Sequence, residues 1–168
     1  MAIPLPSQTE LQSKLDYDPE TGQLTWAYSR PGAIKGEAPG FMKKGDGVQI
    51  TVDRTAYRAH RLIWKWMTGD DPPEYVDHVN RDPLDNRWVN LRLATPQQNM
   101  GNKRGHGKYL KGAYKASSGH TFQSKIKIDR KNVYLGTFAT EEEAHQAYCD
   151  AAKRIHREFA CVATKVSS

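Results

Sequence analysis

The chain has 168 residues, enough for one large domain or two small ones. Only 38% of them are hydrophobic, no run approaches the roughly eighteen apolar residues of a membrane span, and two cysteines cannot build a disulfide framework or a four-cysteine zinc site. The net charge of +6 is unevenly placed: residues 1–72 are neutral, 73–102 carry −1, 103–139 carry +8 and 140–168 carry −1, so one short stretch holds the basic excess and reads as a footprint for a polyanion.

The opening residues MAIPLPSQTE have no basic region followed by an apolar stretch, so no secretory signal is expected and the predicted location is cytoplasmic. Leu11 and Leu15 suggest a short helix within residues 1–15. Asp18-Pro19-Glu20-Thr21-Gly22 is turn chemistry, followed by a predicted strand at Leu24–Tyr28. Residues 29–47, rich in Gly, Pro and Lys, read as a loop with a strand in it. Val48, Ile50 and Val52 alternate with polar residues. Asp53-Arg54-Thr55 turns and Ala56–His60 returns, which makes a hairpin. Arg61–Thr68 has helical spacing and stops at Gly69 and Pro72-Pro73. Trp64 and Trp66 are read as core, and His60 as a packing residue.

Residues 74–102 change character. Tyr75–His78 and Leu91–Ala94 read as two short strands around a polar loop. Thr95, Pro96 and Gln98 form a helix start with a capping box, placing Asn99 on that helix. A hard divalent cation needs oxygen ligands, and a carboxylate with an amide carbonyl qualifies. Asp77 and His78 are adjacent, Asn90 follows thirteen residues after Asp77, and Asn99 nine after Asn90. Neighbouring strand residues point to opposite faces, so Asp77 and His78 share a site only if the strand breaks there.

The run AHRLIWKWMTGDDPPEYVDHVNRDPLDNRWVNLRLATPQQNM resembles the HNH nucleases, in the branch of phage-encoded homing and free-standing endonucleases. Asp-His, Asp-Asn-Arg, Asn-Leu-Arg and Thr-Pro-x-x-Asn occur in order, and with YDPETGQLTW the likeness covers about residues 17–102. It implies a ββα-metal core at 74–102. In that core Asp77 and Asn99 would be metal ligands, His78 the general base, and Asn90 the residue that ties the loop and orients His78. Asn102 competes with Asn99 for the second ligand position. Asn86 and Arg87 either contact phosphate or brace the loop. Many relatives have His where Asn99 stands, and a neutral oxygen there favours Mg²⁺ or Mn²⁺, one ion per site.

Gly101–Lys108 is basic and glycine-rich and is expected to link two modules, with 103–108 as the linker proper. Beyond it, Lys111–Lys115, Phe122–Ile128 and Val133–Phe138 read as three strands, with a turn at Asp129-Arg130-Lys131. Phe122, Ser124, Ile126 and Ile128 face one way with Val133 and Leu135. Gln123, Lys125 and Lys127 face the other with Asn132 and Tyr134. A helix follows, capped by Thr140 and Glu143, with Ala144, Ala147, Tyr148, Ala151 and Ile155 as its apolar stripe. His106, His120, His145 and His156 are expected at the surface, and the lone cysteines Cys149 and Cys161 as small buried packers.

Residues 108–160, through Tyr134-Leu135-Gly136-Thr137-Phe138 and the following Glu-Glu-Ala and Ala-Tyr-x-x-Ala-Ala, resemble the APETALA and ethylene-response-factor type of DNA-binding domain. The resemblance implies that the sheet lies in the major groove. The matching positions are Lys111, Tyr114, Lys125, Lys127, Asn132 and Tyr134. The plant proteins place Arg and Trp at several of these, so lysine here implies looser base reading.

The expected fold is therefore α+β: an HNH nuclease domain at 1–102, a linker at 103–108, a three-stranded antiparallel sheet packed on one helix at 109–160, and a tail at 161–168. The expected activity is metal-dependent hydrolysis of double-stranded DNA. It acts as a nick by a monomer and leaves 5′-phosphate and 3′-hydroxyl ends. The alternative is a DNA-binding regulator whose nuclease module is inactive; an RNA-binding protein is disfavoured because no RNA-type stacking motif is present.

Overall fold

The computed structural model describes residues 4–43, 47–73, 75–102 and 108–160. Cys161, His106, the tail and most of the 103–108 segment lie outside them. The chain forms two compact units, one ending at Ala94 and the other beginning at Thr95. Among the described residues the secondary structure is mixed, with four α-helices and four small antiparallel sheets. None of those helices is long and apolar enough to cross a membrane.

In the first unit, α1 (Gln8–Lys14) starts at Ser7, whose hydroxyl accepts the Glu10 amide. The next residues form a strand that the periodicity did not signal: β1 (Leu15–Tyr17) pairs antiparallel with β2 (Leu24–Trp26). Three residues are too few to display alternation, and Leu15 reads equally as the end of a helix. The Asp18–Gly22 turn between them is closed by the Asp18 carboxylate, which accepts the amide of Glu20 at 2.9 Å. That backbone bond holds the carboxyl below its ordinary range.

A three-stranded meander follows: β3 (Phe41–Lys43), β4 (Gly47–Val52) and β5 (Thr55–Arg58). The tip of the β4–β5 hairpin is Asp53-Arg54, with φ of 47° and 66°. α2 (Ala59–Thr68) begins two residues earlier than the sequence suggested and takes in His60. β6 (Tyr75–His78) and β7 (Leu91–Ala94) pair with Asp77 opposite Arg92 and His78 opposite Leu91. Leu11, Leu15, Ile50, Val52, Leu62 and Ile63 are fully buried in one core, which also includes Val76 of β6 and Leu91 of β7. Each such side chain contributes about 1.5–3 kcal/mol by leaving water, so the short β6–β7 pair is held by the same apolar mass as the helices.

The second unit opens with α3 (Pro96–Asn102). Its capping box forms as expected: Gln98 Oε1 accepts the Thr95 amide at 2.8 Å and Thr95 Oγ1 accepts the Gln98 amide at 3.2 Å. The sequence pattern ends the first module at 102, whereas the compact units divide before Thr95. The reason is packing: α3 lies against α4 (Glu141–His156) and the 3-10 turn Arg157–Phe159 that follows it. A Cβ on Gly101 would stand 2.6 Å from the His156 ring, so that approach requires glycine.

β8 (Ala113–Lys115), β9 (Phe122–Ile128) and β10 (Lys131–Phe138) form an antiparallel sheet in the order β10-β9-β8. The β9–β10 turn is again an Asp-Arg pair, Asp129 and Arg130, with the same φ of 47° and 66°. The register shifts by one residue at Leu135, where Gly136 takes φ 144°. This bulge escaped the alternation pattern, and Val133 beside it is 39% exposed rather than covered.

α4 has its predicted capping box at Thr140 and Glu143, but its buried face is rotated from the predicted stripe. Ala144, Tyr148 and Ala151 are buried; so are His145, Cys149, Ala152 and His156, while Ile155 is exposed. Two of the histidines expected at the surface, His145 and His156, are therefore inside. His145 Nδ1 donates to the Lys111 carbonyl at 2.8 Å, and its Nε2 lies 3.3 Å from the Cys149 sulfur. Both ring nitrogens are satisfied, which lets a polar ring occupy a core position that an apolar count assigns elsewhere.

Candidate active site

Asp77 and His78 end β6 and are both 7% exposed. The strand breaks at once. The Val79 amide donates to the Asn90 carbonyl at 2.9 Å and the Arg81 amide to the His78 carbonyl at 3.0 Å. Asp77 and His78 are thus the last two paired residues of β6, opposite Arg92 and Leu91.

Asp77 is met from β7. Arg92 donates through both Nε and Nη2 to Asp77 Oδ2, each at 3.1 Å. His78 is met from the loop: its Nε2 lies 3.1 Å from Asn86 Oδ1. The Asn86 amide nitrogen points at the Leu84 carbonyl, 3.5 Å away, which orients the oxygen toward the ring. An amide oxygen only accepts, so His78 Nε2 carries a proton, which in the neutral ring leaves the lone pair on Nδ1. His60 of α2 stands edge-on to His78, ring centroids 5.2 Å apart and planes at 89°. Burial first, then the nearby His78, Arg58 and Arg61, pushes His60 down to about 3, so it stays neutral near pH 7.

Asn90 organises the loop. Its Oδ1 accepts the Asn80 amide at 2.9 Å, and its Nδ2 donates to Asn80 Oδ1 at 3.0 Å and to the Asp85 carbonyl at 2.6 Å. The expected role for Asn90 combined tying the loop with orienting His78; the side chain that reaches the His78 ring is that of Asn86. Arg87 braces the loop by a two-point contact to Asp85, whose carboxyl it holds far below the ordinary range.

The first hairpin presses on the same loop. Tyr17 Oη donates to the Asn86 carbonyl at 2.8 Å, and the Trp88 amide to the Pro19 carbonyl at 3.0 Å. A Cβ on Gly22 would stand 2.5 Å from the Arg87 nitrogen. Burial pushes the Tyr17 phenol up to about 12, so it remains a donor throughout the neutral range.

Among the described residues no three His, Cys, Asp or Glu side chains gather as a metal cage. The Asp77 carboxylate is hard oxygen chemistry. It fits a divalent ion that keeps most of its ligands as water and phosphate. The guanidinium seated on Asp77 Oδ2 shows that this carboxylate stands where a cation is favoured. Asn99 lies on α3 in the second unit and is half-buried, with its amide donating to the Thr95 carbonyl at 2.9 Å; Asn102 is 5% exposed at the end of that helix.

The sheet of the second unit presents a polar face of its own. Lys125 sits opposite Tyr134 and Lys127 opposite Asn132, and the Lys125 ammonium lies 5.9 Å from the centre of the Tyr114 ring. Tyr114 and Tyr134 are 52% and 56% exposed. Lys111 stands apart from them: its ammonium donates to the Gly101 carbonyl at 2.8 Å and lies over the Tyr148 ring.

Residues 57–101 match the family model described as HNH endonuclease, a stretch that contains Asp77, His78, Asn90 and Asn99. That stretch is similar to the HNH endonucleases. The chain is 35% identical over 122 residues to a protein of Acanthamoeba polyphaga mimivirus named as an uncharacterized HNH endonuclease, covering 68% of this chain and 61% of that one. It is also 38% identical over 50 residues to Protein 3.8 of Escherichia phage T7, covering 29% of this chain and 41% of that protein. The chain thus spans about three fifths of the first relative's length.

Around the Asp77–His78 pair, sequence reasoning passed over Arg92 and Tyr17 and left Asn86 undecided. Arg92 was accessible in principle. Pairing YVDH antiparallel with LRLA end to end places it opposite Asp77. Tyr17 had no such signal, because its partner is a backbone carbonyl 69 residues away.

Proposed function

We propose that this chain is a metal-dependent endonuclease that hydrolyses phosphodiester bonds of double-stranded DNA, nicking as a monomer and leaving 5′-phosphate and 3′-hydroxyl ends. The observation that carries the reading is the buried Asp77–His78 pair at a broken strand end, with the His78 tautomer set by Asn86. Asp77 would hold the ion, and the sequence motif alone implies Asn99 as a second oxygen ligand. Mg²⁺ or Mn²⁺ suits that oxygen set and, when bound, stabilises charge on the scissile phosphate and the leaving oxygen.

The protein's own part is proton transfer and placement. His78 Nδ1 takes a proton from the attacking water. The water oxygen bonds to phosphorus, the bond from phosphorus to the 3′ oxygen breaks, and that oxygen leaves and takes a proton from solvent water. Asn86 holds Nε2–H, so the ring cannot turn its protonated nitrogen toward the water. Asn90 and Arg87 keep the loop that carries Asn86 in place. The second unit grips the duplex through Tyr114, Lys125, Lys127, Asn132 and Tyr134 in the manner of an APETALA-type sheet, since a β-sheet face fits the major groove. Lys111, tied to Gly101, steadies that unit.

Incubation of supercoiled plasmid with the protein in Mg²⁺ or in EDTA tests the proposal. Relaxed circles only in Mg²⁺, lost in Asp77→Ala in both Mg²⁺ and Mn²⁺, are expected. Full activity of Asp77→Ala removes Asp77 as the ligand. Binding without cleavage in any divalent ion selects a regulator with an inactive nuclease module.

A further inference from the structure

We infer that Arg92 couples metal binding to DNA binding: in the DNA-free protein its guanidinium occupies the Asp77 carboxylate, and a DNA phosphate draws it off and opens that carboxylate to the divalent ion. The inference rests on the endonuclease reading of this site.

Both N–H groups of Arg92 that meet Asp77 converge on one oxygen, Oδ2, at 3.1 Å. The pairing is built into the strands, since Arg92 lies directly opposite Asp77 in the β6–β7 register. Neither side chain is a surface ion: the exposures are 17% for Arg92 and 9% for Asp77. A covered carboxylate without a counter-charge is strongly destabilising, so the DNA-free protein needs a cation there. Arg92 supplies it.

That solution conflicts with the metal. A divalent ion on Asp77 would face a guanidinium a few ångströms away, and salt screens such a pair poorly when it is covered. Arg92 must swing off or share. Its planar fork matches a phosphate as well as a carboxylate, and the scissile phosphate has to approach Asp77 for reaction. Phosphate arriving and metal arriving therefore favour the same rearrangement. By linkage, DNA must then tighten metal binding as much as metal tightens DNA binding.

The test is Mn²⁺ titration of the full chain, followed by the electron paramagnetic resonance signal of free Mn²⁺, with and without duplex DNA. The His78→Ala background keeps the duplex intact. DNA is expected to tighten Mn²⁺ binding by about tenfold or more. Arg92→Met is expected to tighten Mn²⁺ binding in the absence of DNA by a similar factor and to shrink the DNA effect to less than about threefold. Arg92→Lys, which keeps a point charge without the fork, falls between.

Arg92→Met that is folded by circular dichroism yet binds Mn²⁺ no tighter than its parent overturns the coupling. So does a DNA effect that survives unchanged in that variant. If Arg92→Met does not fold, the parent protein and Arg92→Lys decide, because absence of any DNA effect on Mn²⁺ affinity in the parent is equally fatal. Asp77→Ala separates the two levels of the argument. Should it bind Mn²⁺ as the parent does, the site reading itself fails; should it lose Mn²⁺ while Arg92→Met changes nothing, only the coupling fails.

Discussion

β6 and β7 are joined by residues 79–90, whereas β9 and β10 are joined by Asp129 and Arg130 alone. In the first pair, the side-chain amides and carboxylates of Asn80, Asp82, Asp85, Asn86 and Asn90 fold back on the loop and satisfy its own backbone and one another. In the second, the turn needs no such help and the polar side chains of the strands, Lys125, Lys127, Asn132 and Tyr134, lie on the open face of the sheet. One hairpin spends its polar residues on holding two buried groups still; the other leaves them open to solvent. Removing a polar residue from the first should disturb folding or chemistry, and from the second, binding.

The widest separation is expected between His78 and the lysines. His78→Ala should cleave about 10²- to 10⁴-fold more slowly in single turnover while binding the same duplex within a few-fold of wild type. Lys125→Ala combined with Lys127→Ala should do the converse. Affinity falls and cleavage recovers at saturating protein, while the slope of log K against log salt shrinks by about 0.9 for each phosphate that is no longer neutralised. Gel-shift and cleavage assays on one duplex measure both. Equal losses of binding and cleavage in His78→Ala would make it a structural residue and dissolve the contrast.

Stability should divide the same way. Asn90→Ala removes three hydrogen bonds from a buried amide and strands their partners, so it should lower unfolding free energy by about 2–4 kcal/mol in urea. Asn132→Ala, on the exposed sheet face, should stay within about 0.5 kcal/mol. Comparable losses in the two variants would mean that the β6–β7 loop is not held by its amides.

This contrast also explains what the sequence could and could not reveal. Hairpins with tight turns announce themselves, because alternation and turn residues are local; β4, β5 and β9 fall where alternation puts them. The Asp77–His78 pair and the capping box at Thr95 were legible for the same reason. What stayed hidden depends on side chains meeting across distance: Asn86 against His78, Tyr17 against the Asn86 carbonyl, Arg92 on Asp77. The rotation of α4 was hidden differently. An apolar count cannot know that His145 finds the Lys111 carbonyl and the Cys149 sulfur, which allows a histidine inside while Ile155 faces out. The bulge at Leu135 likewise leaves no mark in period-two alternation until the register is seen to slip.

His60 offers a pH test of the packing around His78. Its pKa is about 3 in the folded protein and about 6.5 in an unfolded chain. Between those values the unfolded state binds the proton and the folded state does not, so stability is lost as pH falls from about 6.5 toward 3. The slope approaches 1.4 kcal/mol per pH unit for this one group. His156, lowered by burial and by Lys111, acts in the same direction. His60→Phe keeps an aromatic ring beside His78 and removes the titration, so urea midpoints measured at pH 6.5 and 4.5 should differ less than in wild type. An unchanged difference would mean that His60 is open to protons in the folded state.

The smallest effect expected separates the two Asp-Arg turns. Asp53-Arg54 and Asp129-Arg130 both hold two non-glycine residues at positive φ, the geometry for which Asn-Gly is the favoured sequence. An arginine in the left-handed region costs about 1 kcal/mol that glycine would not. Substituting Asn-Gly at 129–130 should therefore raise stability by up to about that amount. The same change at 53–54 should gain less, because Asp53 is ion-paired with Lys14 and an exposed pair of this kind contributes up to about 1 kcal/mol. Binding should split the other way: loss of the exposed Arg130 from the basic unit should weaken DNA affinity, whereas loss of Arg54 from the charge-neutral 1–72 region should leave it within a few-fold. Urea midpoints and gel shifts on the two variants decide the matter. If the 53–54 variant gained as much stability as the 129–130 variant, the Lys14 ion pair would contribute nothing. If it lost as much affinity, the DNA grip would not be confined to the second unit.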